Sequence, residues 1–302
     1  MHDIIYAKFQ KILEVCKEYS KNLVDDKGNL RHRGVKSSKL TDIELIALNI
    51  TAEVLSIDSE NLLFHLLHNE CKEDFPKMIS RRSYNDRKKY LQGLMDKIRT
   101  RIADKIDEGE NYLIIDSKPL PICKPRRSKR VKFRGDSYEQ DPDFGFCASQ
   151  NLYYKGYKLH CTCGITGVLH TFTITKASVH DIAFLKDIKY IMRDCTIIGD
   201  KGYISKKVQL DLFNTVNIKL EIPCRSNQTT LYPFNKCAGK IRKRIETVFS
   251  QLSDQFVLIR NYAKRANGLF TRILSKITAL TISQYFNFIN NKPIDKIKYA
   301  II

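Results

Sequence analysis

The chain has 302 residues, 43% of them apolar, which is sufficient for a packed core in one large or two ordinary domains. Lys and Arg number 52 against 33 Asp and Glu, and the resulting formal charge of +19 favours a polyanionic partner. Nucleic acid is the leading candidate and a membrane surface the weaker one. The sequence has no run of eighteen apolar residues and no signal-peptide pattern, so a cytoplasmic protein without a membrane-spanning segment is expected.

Helical patterns dominate the first hundred residues. Apolar residues at helical spacing predict an amphipathic helix over 4–19. Thr41 and Glu44 match a capping box that opens a second helix, and a third is predicted to begin near Asp58. Several short helices in a basic chain are compatible with an all-helical DNA-binding region over 1–105.

A further helix is predicted in the basic stretch that follows residue 80, with Ser83 as its cap and continuation to Ile102. In a helix-turn-helix, the N-terminal side chains of the second helix reach base edges and phosphates, a task that suits Arg, Asn and Tyr. A solvated basic helix face is the alternative interpretation. The candidate DNA-binding residues here are Arg81, Arg82, Tyr84, Asn85 and Arg87.

Three carboxylates stand out further along the chain. The apolar run over 112–119 (YLIIDSKP) ends in Asp116 and is closed by a proline, so it predicts a buried strand with Asp116 where that strand leaves the core. A second apolar run ends in Asp200, between two glycines that permit close approach of backbone or ligand. Glu246 lies in a segment with helical periodicity. Each carboxylate alone could be a turn residue or a helix cap, but together they are the oxygen ligands that a hard divalent cation requires.

The segments around these carboxylates resemble the three catalytic blocks of bacterial insertion-sequence transposases of the DDE type. The matching segments are 115–117 (IDS), 199–203 (GDKGY) and 242–249 (RKRIETVF). The chain is most similar to the insertion-sequence family numbered 982, and the resemblance extends from Thr41 onward. It implies that Asp116, Asp200 and Glu246 are catalytic and bind Mg²⁺, for which Mn²⁺ can substitute. It also implies metal-dependent DNA cleavage followed by strand transfer, with the terminal inverted repeats and target DNA as partners and a homodimer on DNA in the bacterial nucleoid.

Basic residues near these blocks are candidates for phosphate contacts. The segment over 123–134 carries seven basic residues and no acidic one; a solvated loop is the alternative. Arg242 lies four residues before Glu246, where it could hold a phosphate or form an ordinary helical ion pair. Some relatives carry a Tyr and a Lys where this chain has Gly239 and Ser253, so Lys201 or Lys240 could supply those contacts. The candidate DNA-binding residues of this part are Lys124, Arg126, Arg127, Lys129, Arg130, Lys201 and Arg242.

The predicted order from residue 112 is three strands, a helix, a strand, a helix, a strand and the Glu246 helix. The resemblance assigns this order to an α/β, ribonuclease-H-like catalytic domain over 106–302, with a C-terminal helix over 269–289 packed on it. Two rival functions remain open. One is a nuclease of the same fold that never joins strands, and the other is a catalytically silent DNA-binding protein descended from a transposase.

Overall fold

The computed structural model describes residues 2–30, 39–223, 236–260 and 262–300. Their contacts group into two units. The first unit comprises Met1–Ile106, Leu252–Arg260 and Asn267–Ile302, and the second comprises Asp107–Gln251 and Asn261–Ala266.

All the regular elements described before residue 107 are α-helices. They are α1 His2–Tyr19, α2 Asp42–Val54, α3 Glu60–Asn69, α4 Arg81–Tyr90 and α5 Gln92–Ile106. The capping box of α2 is present, because the Thr41 hydroxyl accepts the Glu44 amide and the Glu44 carboxylate accepts the Thr41 amide. The cap of α4 differs from the prediction. Ser80, not Ser83, precedes the helix and accepts the Ser83 amide, and the helix ends at Tyr90 instead of running on to Ile102.

The C-terminal helix α9, Ala266–Ile289, packs within the first unit. Its Lys276 ammonium lies 2.6 Å from the Glu53 carboxylate of α2, and both side chains are buried. Asn49 of α2 also donates to the Ser275 hydroxyl at 2.7 Å. Buried polar groups need such partners. These contacts tie α9 to the helical unit, whereas the sequence analysis grouped it with the catalytic domain.

The second unit is built on a six-stranded mixed sheet. Its strands are β1 Tyr112–Cys123, β2 Asp143–Cys147, β3 Leu152–Gly164, β4 Leu169–Lys176, β5 Thr196–Ile198 and β6 Lys219–Glu221. The sheet order is β2-β3-β1-β5-β6, and β4 also pairs with β3. The strands β1 to β4 pair antiparallel, and β5 and β6 run parallel to β1. The predicted order of elements is observed, with the addition of the short strand β2.

Helices cover both faces of β1. They are α6 Ile182–Ile188, α7 Lys206–Val216 and α8 Lys236–Asp254, and α8 lies in the second unit up to residue 251. One face buries a core formed by Leu113, Ile115, Phe184, Leu185, Ile188, Ile197, Tyr203, Val208, Leu212 and Ile218. On the other face the Lys118 ammonium lies 5.7 Å from the Phe249 ring of α8. Since residues two apart in a strand share a face, Asp116 is on the side of β1 that faces α8.

Candidate active site

Asp116 and Asp200 occupy matching levels on two neighbouring parallel strands. The last pair between β1 and β5 joins Ile114 to Ile198, an offset of 84 residues. The same offset relates Asp116 to Asp200, two residues further along each chain, and the backbone of Asp200 is still extended. Side chains at equivalent positions of paired strands point to the same face of the sheet. The register therefore brings both carboxylates to the end of the β1–β5 pairing, two residues beyond its last pair.

The sequence analysis predicted that the strand leaves the core at Asp116. In the structure this strand continues to Cys123. Beyond Ile114 the strand pairs only with β3 among the described residues, with the Asp116–Cys161 and Pro119–Lys158 pairs in register. A proline is tolerated on a strand with one open side, because its missing amide hydrogen bond is not needed there. Asp116 thus lies in the middle of a long strand, at the point where β5 stops.

Each aspartate has one oxygen fixed by its own backbone. Asp116 Oδ1 accepts the Ser117 amide at 2.7 Å, and Asp200 Oδ1 accepts the Gly202 amide at 2.8 Å. Asp200 also caps the short turn Lys201–Tyr203, so the alternative considered from the sequence, that this carboxylate is a cap, describes part of its role. Gly199 packs closely against β1, since a Cβ there would lie 3.0 Å from Ile115 Cγ2. The local chain therefore presets both carboxylates.

Glu246 of α8 is linked to Asp116 through Arg242, which lies between these two carboxylates. Arg242 Nη2 is 3.2 Å from Glu246 Oε1, and Nη1 is 3.8 Å from Asp116 Oδ2. The helical ion pair considered from the sequence is present, and the same guanidinium also faces the strand. Arg244, two residues further along the helix, donates to the Thr166 carbonyl at 3.0 Å in the β3–β4 turn. This contact fixes α8 against the sheet.

The carboxylates interact electrostatically. The pKa of Asp116 is raised to about 7: burial is the largest cause and the charges of Asp200 and Glu246 add to it, while the Ser117 amide and Arg242 act in the opposite direction. A raised pKa means that the folded protein holds negative charge at this place only at a cost. A site of this kind is a candidate for catalysis or for cation binding.

The chemistry of this donor set fits a hard divalent cation, which prefers carboxylate oxygens. Burial, the largest cause, and repulsion from Asp200 and Glu246 together raise the pKa of Asp116, so a counter-charge at this place would be favourable. In the part of the chain that the structure describes, no three Asp, Glu, His or Cys side chains converge closely enough to hold a metal ion. Arg242 instead supplies the positive charge between two of the three carboxylates.

Asp181 is a fourth acidic residue near the site that the sequence analysis missed. Its Oδ1 accepts from the Ser117 hydroxyl at 3.1 Å and from the Lys158 ammonium at 3.0 Å. The buried imidazole of His160 lies next to it, with Nδ1 3.8 Å from the same oxygen. Asp181 directly precedes α6, a position where aspartate is common in helices of any function. Its partners Ser117 and Lys158 are remote in sequence, so the sequence gives no sign of these contacts.

Tyr203 is a second residue without an assigned role. Its hydroxyl is buried and has no hydrogen-bond partner among the residues that the structure describes. Burial and the nearby charges of Asp116, Asp181 and Asp200 raise the pKa of this phenol, so the hydroxyl stays protonated. A buried unsatisfied donor costs free energy. Its place beside three carboxylates makes it a candidate donor to whatever occupies the site.

The candidate recognition helix is only partly available to DNA. Tyr84 is 1% exposed, and it packs edge-on against the Phe64 ring. Asn85 donates to the Glu60 carboxylate at 2.9 Å, and Arg87 forms a 2.6 Å ion pair with buried Asp42. These three side chains contact the other helices of their unit, so a role for them in DNA binding remains a prediction. The exposed members of the set are Arg81 and Arg82.

The basic segment that follows β1 is exposed. Among the described residues no ion pair involves its candidate phosphate contacts. Lys201, beside Asp200, is exposed as well. The exposed members of the segment are Lys124, Arg126, Arg127, Lys129 and Arg130. These cations are thus presented to solvent.

The family comparison agrees with this geometry. The transposase DDE domain model matches residues 107–282, more than half of the chain, and the protein belongs to that family. The family consists of transposases, which act on DNA, and it implies a ribonuclease-H-like fold for the sheet and its helices. The resemblance stated from the three blocks is therefore confirmed at the level of DDE transposases. Neither the curated proteins nor the solved structures gave a significant match. No helix in the described ranges is sufficiently long and apolar to cross a membrane.

Proposed function

We propose that the protein is the transposase of a bacterial insertion sequence, similar to the family numbered 982, and that it cleaves and joins DNA in a metal-dependent reaction. The observation that carries this proposal is the shared offset of 84 residues, which sets Asp116 and Asp200 at the same level of two parallel strands. The raised pKa of Asp116, to which Asp200 and Glu246 both contribute, supports the grouping of the three carboxylates.

Asp116, Asp200 and Glu246 are the residues that would hold Mg²⁺ or Mn²⁺. When bound, the cations would activate the attacking hydroxyl and neutralise charge on the phosphodiester. The protein's part is to orient three carboxylates from separate rigid elements, since two of them are fixed by their own backbone amides. Arg242, already between Asp116 and Glu246, is placed to contact a phosphate oxygen next to them.

The reaction has two steps. In the first, water attacks the phosphorus at an end of the element, the bond to the 3′ oxygen breaks, and a free 3′-hydroxyl results. In the second, this 3′-hydroxyl attacks a phosphodiester of the target DNA and displaces its 3′ oxygen, so that one bond forms and one breaks without an external energy source. The same three carboxylates serve both steps.

DNA recognition is assigned to two basic surfaces. The exposed basic segment after β1 would contact phosphates close to the catalytic strand, and Lys201 would do so beside Asp200. The helical region to about residue 105 would bind the terminal inverted repeats, with Arg81 and Arg82 as its exposed candidates. Two chains on DNA are required to bring two element ends together, so we propose a homodimer in the complex. The catalytic part would begin near residue 106, where the family match also begins.

The test compares two substrates in the presence and absence of Mg²⁺. Duplex DNA carrying the element ends reports cleavage, and a pre-cut end with a free 3′-hydroxyl, mixed with a supercoiled plasmid, reports joining. Joined product supports the transposase. Cleavage without joining indicates a nuclease, and binding with neither reaction indicates a DNA-binding protein without catalysis.

A further inference from the structure

An aromatic surface projects from the two-stranded ribbon formed by β2 and the start of β3. In the antiparallel register Phe146 pairs with Tyr153, and Phe144 pairs with Lys155. These four side chains share one side of the ribbon, which we call the aromatic face. Phe144, Phe146 and Tyr153 are 50%, 49% and 65% exposed, although large aromatic side chains are normally well buried.

The aromatic face is ordered by contacts within itself. The rings of Phe146 and Tyr153 have centroids 4.3 Å apart at 32°, and the Lys155 ammonium lies 5.5 Å from the centre of the Phe144 ring. The reverse side of the ribbon is closely packed, because a Cβ added at Gly145 would lie 2.7 Å from Ala177 Cβ. The rings therefore form a supported platform instead of a mobile loop tip.

The basic segment is attached to the same strand at both of its ends. Cys123, before its first cation, pairs with Lys155 of β3. The ring of Phe133, near its other end, packs edge-on against Tyr157 with centroids 6.0 Å apart. The turn Pro125–Arg127 also contacts β3. Exposed cations are thus held beside exposed rings, on the strand that carries both.

We propose that the aromatic face binds unpaired bases of a DNA strand whose phosphates lie on the basic segment. This inference rests on the proposed function for the identity of the partner. Stacked rings next to cations are the arrangement by which proteins bind single-stranded nucleic acid, because every base offers a π-face and every nucleotide a phosphate. Lys155 on the face and the basic segment at its border favour a polyanion over the apolar surface of a second chain.

The distance along β3 between the aromatic face and the level of Asp116 can be estimated from the number of residues. Tyr153 is eight residues from Cys161, the partner of Asp116. At about 3.3 Å per residue the platform lies roughly 26 Å from the catalytic level, which corresponds to about eight nucleotides at the spacing of a DNA strand. The unpaired bases are therefore expected several nucleotides away from the cleaved bond.

The test compares the affinities of the full-length protein for a single-stranded oligonucleotide and for the duplex of the same sequence. The variants are Phe146→Ala and Tyr153→Ala. Base–aromatic stacking contributes about 1–3 kcal/mol per base, so each variant should bind the single strand about fivefold to 150-fold more weakly. Affinity for the duplex should change less than twofold. Tyr153→Phe, which keeps the ring, should bind like the unchanged protein.

Tyr190→Ala is the matched control, since Tyr190 is 81% exposed and also lies under a lysine ammonium but is remote from the ribbon in sequence. Its single-strand affinity should not change. Circular dichroism confirms that the variants are folded. Equal losses for single strand and duplex, or no loss for either, would overturn the proposal. So would a change in oligomeric state with unaltered DNA affinity, which would assign the face to a second copy of the chain. Because the assay scores binding, it gives its answer even where the cleavage assay finds no catalysis.

Discussion

Arg242 of α8 faces Asp116 of β1 across the candidate site, with Nη1 3.8 Å from Oδ2, while its other terminal nitrogen pairs with Glu246. A cation bound by Asp116 and Glu246 would have to displace this guanidinium from between them. We therefore expect the arginine to act as an internal counter-ion until a metal ion binds, and to become available to a phosphate afterwards.

Replacement of Arg242 by Gln should separate metal affinity from catalysis. Without the competing guanidinium, we expect Mg²⁺ to bind roughly twofold to fivefold more tightly, in line with the ≤1 kcal/mol of a partly exposed ion pair. Cleavage at saturating Mg²⁺ should be slower, because the phosphate contact is lost. Thermal unfolding at a series of Mg²⁺ concentrations measures the affinity. Arg242→Lys should lie between the two proteins, and an unchanged or weaker Mg²⁺ midpoint for Arg242→Gln would contradict the displacement.

The three carboxylates should be individually necessary for cleavage. Asp116→Asn, Asp200→Asn and Glu246→Gln each remove an oxygen ligand that the other two cannot replace, so cleavage should fall by several orders of magnitude. A chelator of divalent cations should abolish it as well. DNA affinity should be retained, and double variants should be no worse than single ones.

The control for the carboxylate variants is Asp211→Asn. Asp211 lies on α7 and pairs with Lys189 at 3.1 Å at the surface, where an ion pair contributes little. Cleavage by this variant should be normal. Metal-dependent nicking that persisted in Asp200→Asn, or a folded Asp211→Asn protein without activity, would show that the site lies elsewhere.

The raised pKa of Asp116 predicts a pH-dependent cost in the metal-free protein. Its pKa is about 7 in the folded chain, against 3.8 as the ordinary value, so between these values the folded state binds more protons than the unfolded one. The free energy of unfolding therefore falls as pH rises through this window. Asp116→Asn removes the free-energy cost of a buried negative charge, so this variant should be more stable than the unchanged protein at pH 8. The difference is at most about 4 kcal/mol, and screening by solvent at the partly exposed carboxylate makes it smaller. Urea unfolding at pH 5 and pH 8 in chelator checks this; equal stability of the two proteins at pH 8 would refute it.

The sequence was sufficient to predict the two strands that lead to Asp116 and Asp200, because their pattern is local and the spacing of the two aspartates is informative. An apolar run that ends in an aspartate was found twice, and the 84-residue spacing is the register offset of β1 and β5. It could not show that β1 continues past Pro119, since that depends on β5 being shorter than β3. Asp181 was missed for the same reason, because its partners Lys158 and Ser117 come from distant strands.

The recognition helix shows where sequence patterns mislead. Residues 81–90 read as a polar helix with every side chain available, yet Tyr84 and Lys88 are buried. Lys88 pairs with Glu60 at 2.6 Å, a contact invisible without the fold. Polar residues that satisfy one another in a helical unit have the same composition as residues that bind DNA, and only burial distinguishes the two.

The salt dependence of DNA binding should distinguish the exposed cations of the basic segment from the internal side chains of α4. Each phosphate contact releases counterions, so the slope of log affinity against log salt is about −0.9 per contact in duplex DNA. Changing Arg126, Arg127 and Arg130 together to Gln should reduce the slope by up to about three. Tyr84→Phe should leave both affinity and slope unaltered, because this ring is internal. A slope unaffected by the triple variant would exclude the basic segment from the DNA interface.

His160 provides a pH dependence of the opposite sign. Its imidazole is buried beside Phe184, and Nε2 lies 2.9 Å from the Thr175 hydroxyl. Burial lowers the pKa of His160 to about 4; the Asp181 carboxylate opposes this shift and the Lys158 ammonium adds to it. Between pH 4 and 6.5 the unfolded chain therefore binds more protons than the folded one, and the free energy of unfolding decreases as pH falls through that window, by up to about 1.4 kcal/mol per pH unit.

His160→Gln should flatten this dependence, since the amide can still reach the Thr175 hydroxyl but does not titrate. Urea unfolding at intervals from pH 7.5 to pH 5 gives the two slopes, and the difference between variant and unchanged protein isolates His160 from the contribution of Asp116. His65→Gln, which replaces an exposed histidine, should retain the slope of the unchanged protein. Identical slopes for the unchanged protein and His160→Gln would mean that the pKa of His160 is the same in the folded and unfolded chains, which would contradict the lowered pKa.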